Sequence, residues 1–312
     1  MSNALARAAG SWWVRLLISA AILGYLASRI DMRAAAAAVL SVDKGYLAAV
    51  LALVAVDRTV MILRWVLLLR ASRAPVTTSE AARIFLISSF VGSFLPAGVG
   101  GDAARAYGLS RATEAGDEAL ASVLVDRLLG VLSLVAMGVA GLIAWTPAAD
   151  DQWRLLVAIA VLTMVCVGAF WADRLVPFLS ARERAGRGFI YDVVLAMSRY
   201  RGYGRVLAHV MAWSIVVQLL RITQAYLLGL GLGLTVPFRY FLLFMPIGLL
   251  MLLLPVSISG FGLPQGVIVW LLRPMGVADE ASFALSTLIV LTGLAGNLPG
   301  LALWLRRRRE IL

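Results

Sequence analysis

One cysteine and one histidine among 312 residues remove several kinds of chemistry at once. The lone Cys166 sits in an apolar run at 155–170, so no disulfide or zinc set forms within one chain, and packing is its simplest role. A single histidine excludes a His-based phosphatase site, and His209 reads as an interfacial residue rather than a proton carrier. Charge is scarce too: 14% of residues are charged and 62% are apolar, with a mean hydropathy of +0.91, far from soluble domains. Sustained strand-like alternation is missing, which excludes an outer-membrane barrel. The stretch Gly98-Val-Gly-Gly101 lacks a following Gly-Lys-Ser/Thr and a preceding strand, which excludes a P-loop. With no nucleophile or metal set in sight, the chain is expected to be no enzyme and to need no cofactor or metal.

What is present is a series of long apolar stretches. About 20 apolar residues cross a bilayer core as a helix, and runs at 12–27, 45–69, 119–145, 153–171, 206–230 and 282–305 meet that length. The first is read as a retained span rather than a cleaved signal. Two further stretches break early. The run at 84–95 stops at Pro96 and Gly98, Gly100 and Gly101, and 240–254 stops at Pro255 before resuming through Gly262 to Leu272. Apolar helices that stop at Pro and Gly predict re-entrant hairpins. The fold class is therefore an all-α polytopic membrane protein, one domain over 1–312, with six full spans and two re-entrant helical hairpins.

Net charge is +11, and Lys44 is the only lysine. The arginines gather at 173–205 and 306–309, whereas 146–152 carries Asp150 and Asp151 without a cation. The positive-inside rule then puts both termini in the cytoplasm, with no nucleic acid as partner. Arg29, Arg33 and Lys44 run against this pattern, partly balanced by Asp31 and Asp43. Each half, 12–145 and 153–305, holds two spans, a hairpin and a third span. Leu95-Pro96 with Gly100-Gly101 echoes Leu254-Pro255 with Ser259-Gly260, and Ser122-Val-Leu-Val125 echoes Ser286-Thr-Leu-Ile289. An inverted repeat is expected, with a midplane site where broken helices meet.

Charges at membrane depth cost about 2.5–3.5 kcal/mol each on insertion scales. Asp57, Met61 and Arg64 share a helix face, with Arg58 beside them; Asp126 and Arg127 lie in the third span; Gln218, Arg221 and Gln224 repeat along one face. Asp102 and Arg105 follow the first hairpin's glycines. Five arginines against three aspartates leave two positive charges over, which calls for an anion. A phosphate ester suits arginine's fork. Gly98, Gly100 and Gly101 would bare backbone N–H groups to it at the start of a helix near Asp102. Plainer readings stand beside each residue: Arg64 snorkelling, Asp126-Arg127 as a structural pair, Arg221 as interhelical glue, the glycines as turn residues.

Leu63-Arg-Trp65, Phe94-Leu-Pro-Ala-Gly-Val-Gly-Gly-Asp-Ala-Ala-Arg-Ala-Tyr107, Ala121-Ser-Val-Leu-Val-Asp-Arg-Leu-Leu-Gly130 and Pro255-Val-Ser-Ile-Ser-Gly-Phe-Gly262 together resemble the lysylphosphatidylglycerol-synthase transmembrane, or flippase-like, family. The resemblance implies a multi-pass protein of the bacterial cytoplasmic membrane. It further implies movement between leaflets of a lipid with an anionic, phosphate-bearing headgroup, plain or aminoacylated or glycosylated. Arg64, Asp102, Arg105, Asp126 and Arg127 stand at matching positions. Gln265 stands where the family often has glutamate, and Leu291 where arginine is common. The expected partners are an anionic phospholipid or polyprenyl-phosphate lipid and a lipid-biosynthetic enzyme. The alternative is an accessory subunit that presents lipid to such an enzyme or to a glycosyltransferase.

Overall fold

A computed structural model describes residues 20, 22, 24–72, 75–94, 99–113, 116–145, 200–253 and 262–311. All regular structure among them is helical. In chain order the helices are α1 (Met32–Leu40), α2 (Lys44–Ala71), α3 (Thr78–Phe94), α4 (Val99–Thr113), α5 (Gly116–Trp145), α6 (Gly204–Gly231), α7 (Phe238–Leu253), α8 (Leu263–Leu272), α9 (Asp279–Ala295) and α10 (Leu298–Ile311). Four segments are long and apolar enough to cross a membrane: Lys44–Ala71, Ala119–Trp145, Gly204–Gly231 and Asp279–Arg306. They coincide with four of the six expected spans. The span expected at 153–171 lies outside the described residues, as do most of 12–27 and the breaks at 95–98 and 254–261.

Local chemistry sets several boundaries. Asp31 and Asp43, taken from the sequence as counter-charges, are helix caps: each accepts two backbone N–H bonds at 2.8–3.1 Å at the start of α1 and α2. The helix expected from about residue 84 starts earlier, at Thr78, because Thr77 Oγ1 accepts the Glu80 N–H at 3.3 Å. Its first turn is polar, so a hydropathy reading starts late. Likewise the last span is two helices rather than one. Pro299 cannot donate to the Ala295 carbonyl, and α9 ends at that residue.

Helix pairing follows from the contacts. α2 and α6 run antiparallel along their length, with the Asp43 N–H bonded to the Gly231 carbonyl at one end and Arg64 to Ser214 further along. The α3–α4 pair is also antiparallel, closing where a Cβ at Gly92 would come within 2.6 Å of Gly101 Cα. Pro246 inside α7 leaves the Leu242 carbonyl without its usual donor. That carbonyl lies against Gly141 of α5, where any Cβ would collide with it. Small residues at such crossings let helices approach to packing distance without an apolar driving force.

Gly141→Ala should therefore destabilise the protein by about 1–3 kcal/mol through overpacking. Gly202→Ala, where a new Cβ meets nothing within 4 Å, should shift stability by less than about 0.5 kcal/mol. Thermal unfolding of both variants in detergent checks the contrast.

Candidate functional site

A cavity of about 420 Å³ lies where α2 to α7 and α9 converge. All eight charged residues singled out in the sequence line it: Arg58, Arg64, Arg105, Arg127, Arg221, Asp57, Asp102 and Asp126. The helical spacing explains the convergence. Asp57, Met61 and Arg64 share one face of α2, and Gln218, Arg221 and Gln224 share one face of α6; the antiparallel pairing turns both toward the same space.

The charges form two groups. In the first, Asp126 takes Arg64 Nη2 at 2.8 Å on Oδ1 and Arg105 Nη1 at 3.1 Å on Oδ2. Arg105 Nη2 also donates to Asp102 Oδ1 at 2.8 Å, and Arg127 Nη1 stands 3.2 Å from Asp102 Oδ2. In the second, Asp57 holds Arg221 Nε at 3.2 Å and Arg58 Nη1 at 3.5 Å. Arg58 reaches on to the Gly293 carbonyl of α9 at 3.2 Å. The Met61 sulfur, a weak acceptor, lies 3.0 Å from Arg221 Nη2. Each group carries one guanidinium more than it has carboxylates.

Burial divides the arginines by role. The Arg64 and Arg105 side chains are 5% and 6% exposed. Arg105 is sandwiched between the rings of Trp65 and Phe85, at 5.2 and 5.3 Å from their centroids. Arg58, Arg221 and Arg127 are 18%, 29% and 36% exposed. Among the five, the last three are the more open to the cavity.

Several sequence readings change here. Arg64 does not snorkel; it is buried and also donates to Ser214 Oγ at 2.9 Å. Asp126 and Arg127 are not each other's partners, since neighbours on a helix diverge by about 100°; Arg127 bonds Asp102 instead. The helix expected to begin near Asp102 begins at Val99. Gly100 and Gly101 are off the cavity wall, with Gly101 packed on Gly92 and Ser88, and Gly98 lies outside the described residues. Gln265 is also off the wall: fully buried, it accepts the Gly262 N–H at 2.7 Å at the start of α8. Ser214 was overlooked, though it lies on the same stripe as Gln218 and Arg221. The aromatic sandwich on Arg105 has no signal in local sequence.

These features define a class: a multi-pass helical membrane protein with an electropositive cavity among its spans. The family described as lysylphosphatidylglycerol synthase TM region matches residues 12–300, and the chain belongs to that family, the membrane part of aminoacyl-phosphatidylglycerol synthase/flippases. No curated protein matches the chain.

Asp126→Asn should cost about 3–5 kcal/mol, because it leaves the buried Arg64 with no carboxylate and Arg105 with Asp102 alone. Arg127→Gln, at a half-open pair, should cost at most about 1 kcal/mol. Thermal unfolding in detergent, with a double-mutant cycle on Arg64 and Asp126, checks both.

Proposed function

We propose that this protein moves a lipid bearing a phosphate headgroup between leaflets, holding the headgroup in the cavity while the tail stays in the bilayer. The observation that carries the reading is the convergence of five arginines and three aspartates on one cavity among apolar helices. A formal surplus of two positive charges in low dielectric is stable only with an anion or mobile water. Phosphate oxygens accept from guanidinium in bidentate fashion. Moving lipid is not lipid chemistry, and we take the protein to be a transporter rather than an enzyme.

We further take α3–α4 and α7–α8 to be re-entrant hairpins in an inverted repeat, with the protein in a bacterial cytoplasmic membrane and both termini inside. Reciprocal packing supports the repeat. The second spans of the two halves, α2 and α6, pack on each other; α3 packs on α10 of the other half, and α7 on α5 of the other half. Meanwhile α4 and α8 pack on their own third spans, α5 and α9. The echoing serines behave alike, Ser122 Oγ bonding the Ala119 carbonyl at 2.9 Å and Ser286 Oγ the Phe283 carbonyl at 2.8 Å. Such repeats let one half rock against the other around a central site.

Reconstituted alone in proteoliposomes, wild type should translocate a fluorescent anionic phospholipid, and Arg127→Ala or Arg221→Ala should slow it about tenfold or more. Unchanged rates in both folded variants would sink the proposal. Wild type that binds lipid yet never flips it would point instead to a subunit presenting lipid to a separate enzyme.

A further inference from the structure

The cavity's arithmetic narrows the headgroup further, on the reading that it holds a lipid phosphate. All carboxylate oxygens in it are engaged. Asp57 faces Arg221 and Arg58, Asp102 faces Arg105 and Arg127, and Asp126 faces Arg64 and Arg105, each oxygen 2.8–3.5 Å from a guanidinium nitrogen. An incoming ammonium would therefore find no free carboxylate and would meet three part-open arginines instead.

Unsatisfied atoms of both kinds remain on the lining residues. Arg58 Nε, Arg64 Nε and Gln224 Nε2 are buried donors, and Gln218 Oε1 and Asn297 Oδ1 buried acceptors, without a hydrogen-bond partner among the described residues, and Asp126 Oδ1 meets Arg64 as an ion pair without hydrogen-bond geometry. Arg64 as a whole residue is 4% exposed, so its orphan N–H has little access to bulk water. Such donors call for acceptor oxygens on a guest, and the neutral amide acceptors are served by water or a hydroxyl. The surplus guanidinium of each group also faces the same space, one from Arg127 with its partners and one from Arg58 and Arg221 around Asp57. A guest with one negative charge neutralises one group and leaves the other in excess.

We infer that the cavity selects a dianionic headgroup without an amine, a phosphate monoester or its equivalent on a lipid, over phosphodiester and aminoacylated headgroups. Both surplus charges are then matched, and every ligand oxygen has a donor to accept from. A monoester's second ionisation falls near about pH 6, so above it the ligand carries the full complement and below it only half. Selectivity should therefore be present at pH 8 and fade as pH falls through that value.

Titration calorimetry on the purified full chain in nanodiscs, at pH 8 and pH 5, tests this with dodecyl phosphate, methyl dodecyl phosphate, lysyl-phosphatidylglycerol and inorganic phosphate. Wild type at pH 8 should bind dodecyl phosphate about tenfold or more tighter than its methyl diester, and lysyl-phosphatidylglycerol more weakly still. At pH 5 the preference should shrink toward unity. Arg127→Gln and Arg221→Gln should each abolish the preference while keeping some affinity for the diester, and Arg127→Lys should restore it. Equal binding of monoester and diester, or tight binding of the lysyl lipid, overturns the selectivity while leaving a lipid-phosphate site in place. Inorganic phosphate binding as tightly as dodecyl phosphate, or no phosphate compound binding at all, overturns the lipid reading itself.

Discussion

The Asp126 carboxylate, gripped by two arginines, is the contact on which the cavity depends. Through Arg64 it fixes α2 to α5, and through Arg105 it fixes α4 to α5. Lipid-facing helices gain no hydrophobic energy from meeting one another, so polar contacts and close backbone approach must hold them. Here charged contacts meet at the cavity, and glycine crossings at Gly92–Gly101 and Gly141–Leu242 bring backbones together. Breaking a buried pair on one side only leaves an unpaired charge, so the network stands or fails as a unit. It is also what aims Arg127: with Asp102 held by Arg105, its second oxygen is left to orient Arg127 toward the open space.

On the proposed repeat, the two halves differ in charge. Laying the 28-residue helices α2 and α6 end on end sets Arg58 against Gln218, Met61 against Arg221 and Arg64 against Gln224. Aligning Ser122 with Ser286 sets Asp126 against Val290 and Arg127 against Leu291. At these positions amides and aliphatics stand where the first half has ions, and Arg221 stands where it has Met61. Gln218 still bonds to α5, at the Gly130 carbonyl and Ser133 Oγ at 3.3 Å each, so polarity persists where charge does not.

Much of this was legible in the sequence because burying a charge in lipid is so costly that each such residue announces itself. Arg58, Arg64, Arg105, Arg127, Arg221 and their three aspartates were picked out from depth alone, and they meet. Pairing was not legible. Adjacency suggested Asp126 with Arg127, whereas helical geometry sends neighbours apart and the true partners come from α2 and α4. Gly101 has two readings for a related reason: glycine serves an anion cradle and a helix crossing equally well in sequence, and the approach of Gly92 to Gly101 favours the second there. The early start of α3 and the break at Pro299 escaped because hydropathy reports apolar side chains, not caps or missing donors.

The surplus charge that attracts a ligand also limits what the empty protein tolerates. Two guanidiniums without counter-ions are tolerable beside water, whose reorientation screens them, and costly in a sealed low-dielectric chamber. On the proposed reading, that penalty would favour a hydrated cavity until an anion enters. A dianion would remove it, so closure would become more favourable once the site is loaded. In the proposed transport cycle, the coupling between occupancy and closure needs no separate sensor. It resides in the excess of Arg127, Arg58 and Arg221 over the carboxylates that face them, and its strength scales with how completely the guest cancels that excess.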